Sequence, residues 1–134
     1  MSLFLLDTNI VSDVLKRPTG SAARRLEAAA GQETAVNTII AGELWFGFEK
    51  RPNPRLETRL RNLLLRVQLL SVETEVGRTY GRIRASLEGT GTPIGGNDLW
   101  IAAHALTLGA TLATANEREF QWVEGLSVEN WLNG

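Results

Sequence analysis

Three acids in this sequence stand where an acid is unexpected. Asp7 follows the apolar run Leu3-Phe4-Leu5-Leu6 and begins the triplet Asp7-Thr8-Asn9. Glu43 lies inside Ile39-Ile40-Ala41-Gly42-Glu43-Leu44-Trp45-Phe46, with Ile39, Ile40, Phe46 and Gly47 around it at helical spacing. Asp98 opens Asp98-Leu99-Trp100-Ile101-Ala102-Ala103 after Gly95-Gly96-Asn97. Each has an ordinary reading. Asp, Thr and Asn all cap helices, and if Thr8 and Asn9 do so Asp7 is left free. Glu43 can reach solvent or meet an arginine, because glutamate is rarely buried unpaired. Asp98 can serve the helix dipole alone. Together they are a set of oxygen donors, which suits Mg²⁺ or Mn²⁺ rather than Zn²⁺. The chemistry such a set serves best is phosphodiester hydrolysis. The ion neutralises phosphate charge and makes hydroxide available near neutral pH. Without a cation the clustered carboxylates repel and raise one another's pKa.

The rest of the inventory narrows the field. The 134 residues contain no cysteine and one histidine, His104. That excludes disulfides, thiolate zinc sites and a cysteine nucleophile, and leaves little room for a Ser-His-Asp hydrolase. His104 lies on an apolar stretch and reads as a packed or surface-facing ring rather than a base. Fourteen basic residues against fifteen acidic ones give a net charge of −1, so the chain does not coat nucleic acid by charge alone. A chain of this size buries roughly 68% of its unfolded surface, enough for one core without staples.

Positioning the three acids requires alternating strands and helices. Residues 3–6 read as a buried strand, followed by a helix over about 9–15 that ends near Pro18. Ser21 is expected to cap an Ala-rich helix running to about Ala30, with Gly31 after it. A strand at about 34–36 precedes an apolar helix over about 38–49, with Thr38 as its cap or as a group orienting a metal-bound water. Arg51-Pro52-Asn53-Pro54 breaks the chain before a helix over about 55–65, then a strand at about 67–70. Thr74 is expected to cap a helix reaching about Glu88, with Val76, Tyr80, Ile83 and Leu87 inward. A helix over about 97–108, a strand at 111–113 and a last strand near 126–128 complete the chain. The expectation is an α/β/α sandwich on a mostly parallel sheet of four to five strands, as one domain over residues 1–134. In such sheets ligands bind at the carboxyl ends of strands, so Asp7 and Asn116 are expected to be neighbours. Residues 99–116 carry no formal charge if His104 is neutral, but their threonines and Gly109 point to a buried helix and strand rather than a membrane span. The N-terminus lacks the basic region of a signal peptide.

Four ordered blocks carry a resemblance. They are Leu5-Leu6-Asp7-Thr8-Asn9, Thr38-Ile39-Ile40-Ala41-Gly42-Glu43-Leu44, Gly95 through Ala105, and Leu112-Ala113-Thr114-Ala115-Asn116 with Glu119-Phe120. Across nearly its whole length the chain resembles the PIN-domain ribonucleases, specifically VapC-type toxins of bacterial toxin–antitoxin pairs. The resemblance implies a metal-dependent endoribonuclease with its acids at Asp7, Glu43 and Asp98, holding Mg²⁺ or Mn²⁺. It also implies a cytoplasmic protein, a homodimer, and an antitoxin that covers the acidic pocket. The fourth acid of many relatives is Asn116 here, which keeps an oxygen but loses a charge. Asn116 is therefore expected to help position metal or water, with one tightly bound ion. Glu117 and Glu119 stand close in sequence and could partly substitute for that acid, or be surface charge in a short helix, the reading favoured for Glu117.

Other features have weaker claims. Trp45, Phe46 and Phe48 read as core or as a face buried in a partner. Arg24, Arg25, Arg78, Arg82 and Arg84 could line an RNA path or simply form solvated faces. A phosphoacceptor module is disfavoured, because Ser71-Val72-Glu73 follows the third strand and neither Lys16 nor Lys50 is placed for it. A haloacid-dehalogenase-like phosphatase needs an Asp where this chain has Asn9. An inactive PIN fold that only binds antitoxin or RNA is the remaining alternative.

Overall fold

The computed structural model describes residues 2–29 and 33–133. In chain order the elements are β1 (Leu3–Leu6), α1 (Thr8–Lys16), α2 (Ser21–Ala28), β2 (Glu33–Asn37), α3 (Thr38–Lys50) and α4 (Pro54–Leu64). They continue with β3 (Gln68–Leu70), α5 (Thr74–Gly89), α6 (Gly96–Leu108), β4 (Thr111–Ala113), α7 (Glu117–Phe120) and β5 (Ser127–Glu129). The five strands form one all-parallel sheet in the order β3-β2-β1-β4-β5. This is the expected α/β/α architecture, with the upper of the two strand counts.

The strand at the centre is the most apolar one. Leu5 and Leu6 are fully buried, pairing with Ala35 on one side and with Leu112 and Ala113 on the other. A strand covered on both faces needs an apolar run rather than alternation, which is why Leu3–Leu6 reads as it does. The edge strand β3 is the contrast, with Leu69 62% exposed. Helices seal the sheet through Ile10 and Val11 of α1, Ile40 of α3, Leu60 of α4 and Ile101 of α6, all fully buried. Trp131 closes the far edge against Phe4, their rings 5.3 Å apart.

Chain order reverses between β1 and β4. After β1 the chain builds outward through β2 and β3, then returns across β1 to place β4. Such a switch point opens a crevice at the carboxyl ends of the two strands. Asp7 follows β1 there, and its N–H donates to Ala113 O at 2.9 Å. Thr114, Ala115 and Asn116 follow β4 in the same crevice. Asp7 and Asn116 are thus on neighbouring strand ends, as expected.

Helix starts differ from the sequence reading in a consistent way. The cap falls one residue earlier at Gly20 rather than Ser21, at Asn37 rather than Thr38, and at Glu73 rather than Thr74. Asp7 itself caps α1, so it is not left free by Thr8 and Asn9. Ser21 is occupied elsewhere, donating to Trp131 O at 2.9 Å. The expected end of α2 at Ala30 and Gly31 lies outside the described residues. Tyr80 is half-buried rather than a core residue, and stacks on Trp100 at 4.0 Å.

Candidate active site

The site is built from the two central strand ends and the first turns of two helices. Asp7 is 3% exposed, yet it is held by donors rather than by a cation. Its Oδ1 accepts from Thr8 N–H at 2.8 Å. Its Oδ2 accepts from Thr114 Oγ1 at 2.7 Å and from Asn9 Nδ2 at 3.3 Å. Asn9 Oδ1 in turn accepts from Ala115 N–H at 2.9 Å, lacing β1 to the loop after β4. Burial pushes the Asp7 carboxyl up, the three hydrogen bonds pull it down, and Glu43 adds a smaller upward push. The balance is upward.

Glu43 is half-buried on α3. Its Oε1 accepts from Thr8 Oγ1 at 2.5 Å, and its Oε2 accepts from Asn97 Nδ2 at 3.3 Å. Thr8 and Asn97 thus tie the helix of Glu43 to the strand end of Asp7 and the helix of Asp98. Asp98 sits in the first turn of α6, also half-buried. Its carboxyl is pushed up to about 6, first by burial and then by the charges of Asp7, Glu43 and Glu119. Asp7, Glu43 and Asp98, the three acids expected from the sequence, lie near enough in the fold for Asp7 and Glu43 to bear electrostatically on Asp98.

Of the two acids considered as substitutes for the charge Asn116 lacks, Glu119, on the short helix α7, bears on Asp98 electrostatically, after burial, Asp7 and Glu43. One residue enlarges the expected set. Thr114 is fully buried and bonded to Asp7, a role no charge or periodicity announces. Asn116 is half-buried at the start of α7, and its N–H donates to Thr114 Oγ1 at 3.0 Å. Thr38 is exposed and lines a hollow of about 580 Å³ with Ile39, Gly42, Glu43, Phe46 and Asn97. A second hollow of about 370 Å³ lies across Glu43, with Thr8, Lys16, Phe48 and Arg51 in its walls.

The other sequence candidates resolve simply. His104 is 2% exposed, and burial lowers its pKa against the opposing pull of Glu73 and Glu75. Trp45 and Phe48 are half-buried against each other, whereas Phe46 is 63% exposed. Arg25 pairs with Glu129 at 2.6 Å, Arg84 with Glu88 at 2.8 Å, and Arg24 donates to Thr19 O at 2.9 Å. Those three arginines serve local contacts, and Arg78 and Arg82 are exposed.

The donor set can be tested for a divalent cation. Among the described residues no ion pair engages Asp7, Glu43, Asp98 or Glu119. All donors are oxygens, the chemistry of Mg²⁺ and Mn²⁺. Among the described residues no three acidic, histidine or cysteine side chains converge closely enough to enclose a bare ion. Direct ligation by all three acids is therefore not what these side chains present, and an ion such as magnesium, which keeps several waters, would be held by them partly through that water.

Comparison with known proteins decides the family. Residues 4–126 match the PIN domain. The chain belongs to the PIN-domain family. Its relatives within that family are VapC ribonucleases. This PIN domain is 37% identical to Ribonuclease VapC2 of Haemophilus influenzae, over 98% of the chain and 100% of that protein. It is 33% identical to the tRNA(fMet)-specific endonuclease VapC of Shigella flexneri, over 98% and 99%. Among solved structures, VapBC2 of Rickettsia felis bound to a promoter DNA fragment superposes with a TM-score of 0.90 at 33% identity, covering 96% of this chain and 98% of that one.

Proposed function

We propose that this chain is the toxin of a toxin–antitoxin pair, an endoribonuclease that hydrolyses RNA phosphodiesters with Asp7, Asp98 and Glu43 holding Mg²⁺ or Mn²⁺. One observation carries the reading: an acidic cluster that no ion pair engages among the described residues stands at the sheet's switch point, in a chain that aligns end to end with VapC ribonucleases. Bound there, the ion supplies neutralisation of phosphate charge and a lowered pKa for water. Asp7 is the fixed donor, its carboxylate oriented by Thr8, Asn9 and Thr114. Asp98 faces it from α6. Glu43, oriented by Thr8 and Asn97, would be the third acid to hold the ion. Asn116 and Glu119 complete the rim, Glu119 supplying the charge that Asn116 lacks. The two hollows that meet at Glu43 give a strand of RNA room on either side, with Lys16 and Arg51 beside one of them.

The same reading makes residues 1–134 a single PIN domain acting in the cytoplasm. Among the described residues no helix is long and apolar enough to cross a membrane. Its partners are a cognate antitoxin, as in the VapBC complexes it superposes on, and a second copy of itself, for which exposed Phe46 on α3 is a supporting feature. Because the Shigella flexneri relative is named for initiator tRNA, that RNA is the first substrate to try. The test is incubation of the purified chain with initiator tRNA, rRNA and mRNA, in Mn²⁺ or Mg²⁺ and in EDTA. Discrete, metal-dependent fragments support the reading. Intact RNA in every lane overturns it in favour of an inactive PIN fold that only binds.

A further inference from the structure

One buried polar pair has no part in the site as described. Asn37 is 1% exposed and His104 is 2% exposed. Asn37 Oδ1 accepts from Ile40 N–H at 2.8 Å and so caps α3. A backbone N–H can only donate, so the amide oxygen must face it. The amide NH2 then faces His104 Nδ1 at 3.0 Å. That NH2 can only donate, so Nδ1 must accept, and the ring is neutral with its proton on Nε2.

The pair joins the helix of Glu43 to the helix of Asp98. A second bond joins the same helices, from Asn97 Nδ2 to Glu43 Oε2 at 3.3 Å. Glu43 lies six residues after Asn37 on α3, and Asn97 lies seven residues before His104 on α6. At about 1.5 Å per residue these separations are about 9 Å and about 10.5 Å. The helices therefore run antiparallel past each other, cross-linked twice at matching spacing. The outer link is long and its Asn97 is exposed. The inner one is a buried polar contact in an apolar setting, since Ile40, Ile101, Ala103 and Ala105 are also fully buried. Sliding α3 by one turn would leave the Asn37 amide without a partner, an arrangement that buried polar groups avoid.

We propose that the Asn37–His104 bond is a register pin that sets Glu43 opposite Asp98 and thereby the metal affinity of the site. The inference rests on the metal-site reading above. Both are positioning residues, acting through α3 and α6 rather than as ligands. His104→Leu removes the acceptor at similar volume, and Asn37→Ser keeps a capping oxygen but removes the NH2. Each should raise the Mn²⁺ concentration that half-saturates the metal-induced rise in Tm by roughly tenfold. The double variant should be no weaker than either single one, because the two act through one bond. His104→Asn, which returns an acceptor near the Nδ1 position, should recover most of the Mn²⁺ affinity even if its Tm falls. Histidine ¹⁵N NMR of the metal-free wild type should show the Nε2–H tautomer. Variants with wild-type Mn²⁺ affinity well below their Tm would reduce the pair to a structural contact and overturn the proposal. A wild type that binds no Mn²⁺ overturns the metal-site reading instead. The pin then stands or falls on the ring, and an Nδ1–H tautomer contradicts it.

Discussion

Asp98→Asn should stabilise the metal-free chain at neutral pH, and the size of the gain follows from the site. In the fold the Asp98 carboxyl is pushed from 3.8 to about 6 by burial and by Asp7, Glu43 and Glu119. Between about pH 4 and about pH 6 the folded chain keeps a proton that the unfolded chain has lost. Stability therefore falls as pH rises through that window, and the loss is complete above the folded pKa. The full difference corresponds to about 3 kcal/mol. Solvent screening at a half-buried carboxyl reduces it to about 1–2 kcal/mol. For a chain of this length that is a Tm change of about 3–8 °C. The upward shift at Asp7 has the same sign and steepens the wild-type slope. The assay is thermal unfolding in EDTA across this range, read as wild type minus Asp98→Asn so that groups common to both cancel. The difference should open as pH rises, with the variant the more stable. Saturating Mn²⁺ should reverse the order, because the ion binds the wild type more tightly. An Asp98→Asn profile parallel to wild type would refute the claim that Asp98 carries uncompensated repulsion.

Three further substitutions probe the same site. Thr114→Val removes the donor at 2.7 Å from Asp7 inside a fully buried position. It should cost about 1–3 kcal/mol in denaturant unfolding and lower cleavage by about 10–100-fold. Asn116→Asp restores a charge on the rim, and should lower the Tm in EDTA while lowering the Mn²⁺ concentration needed for cleavage. Glu119→Gln should lower the Asp98 pKa in carboxylate NMR of the metal-free protein, with an unchanged value refuting the coupling.

Much of this site was legible because its acids interrupt apolar patterns. Asp7 ends a continuous apolar run, and Glu43 interrupts a helix that is otherwise almost all apolar, so both stand out against their surroundings. The sheet was readable for the same reason: a doubly covered central strand such as Leu3–Leu6 leaves no alternation to misread. What stayed hidden were residues whose roles come from the partner they meet across the fold. Thr114 looks like any small polar strand residue until Asp7 is beside it. Asn37 reads as the last residue of a strand, and its two bonds depend on Ile40 and on His104 far along the chain. The helix caps slipped by one residue because Ser21, Thr38 and Thr74 are good capping types at the first helical position. At Asn37 the neighbour was equally able to cap, and tertiary packing chose it. Glu117 and Glu119 were both readable as candidates for the missing charge, but only the fold separates them, since Glu119 bears on Asp98.

The most direct test of the account is Mn²⁺-dependent RNA cleavage by the wild type and Asp7→Asn at equal folded concentration. Asparagine keeps an oxygen to cap α1 but turns an NH2 toward the donors Thr114 and Asn9, so the folded fraction of the variant is fixed by circular dichroism in EDTA before rates are compared. The account predicts discrete fragments from the wild type only with metal. It also predicts a loss of at least about 100-fold in the variant at any Mn²⁺ concentration. Cleavage by folded Asp7→Asn at the wild-type rate, or wild-type cleavage that persists in EDTA, would contradict it.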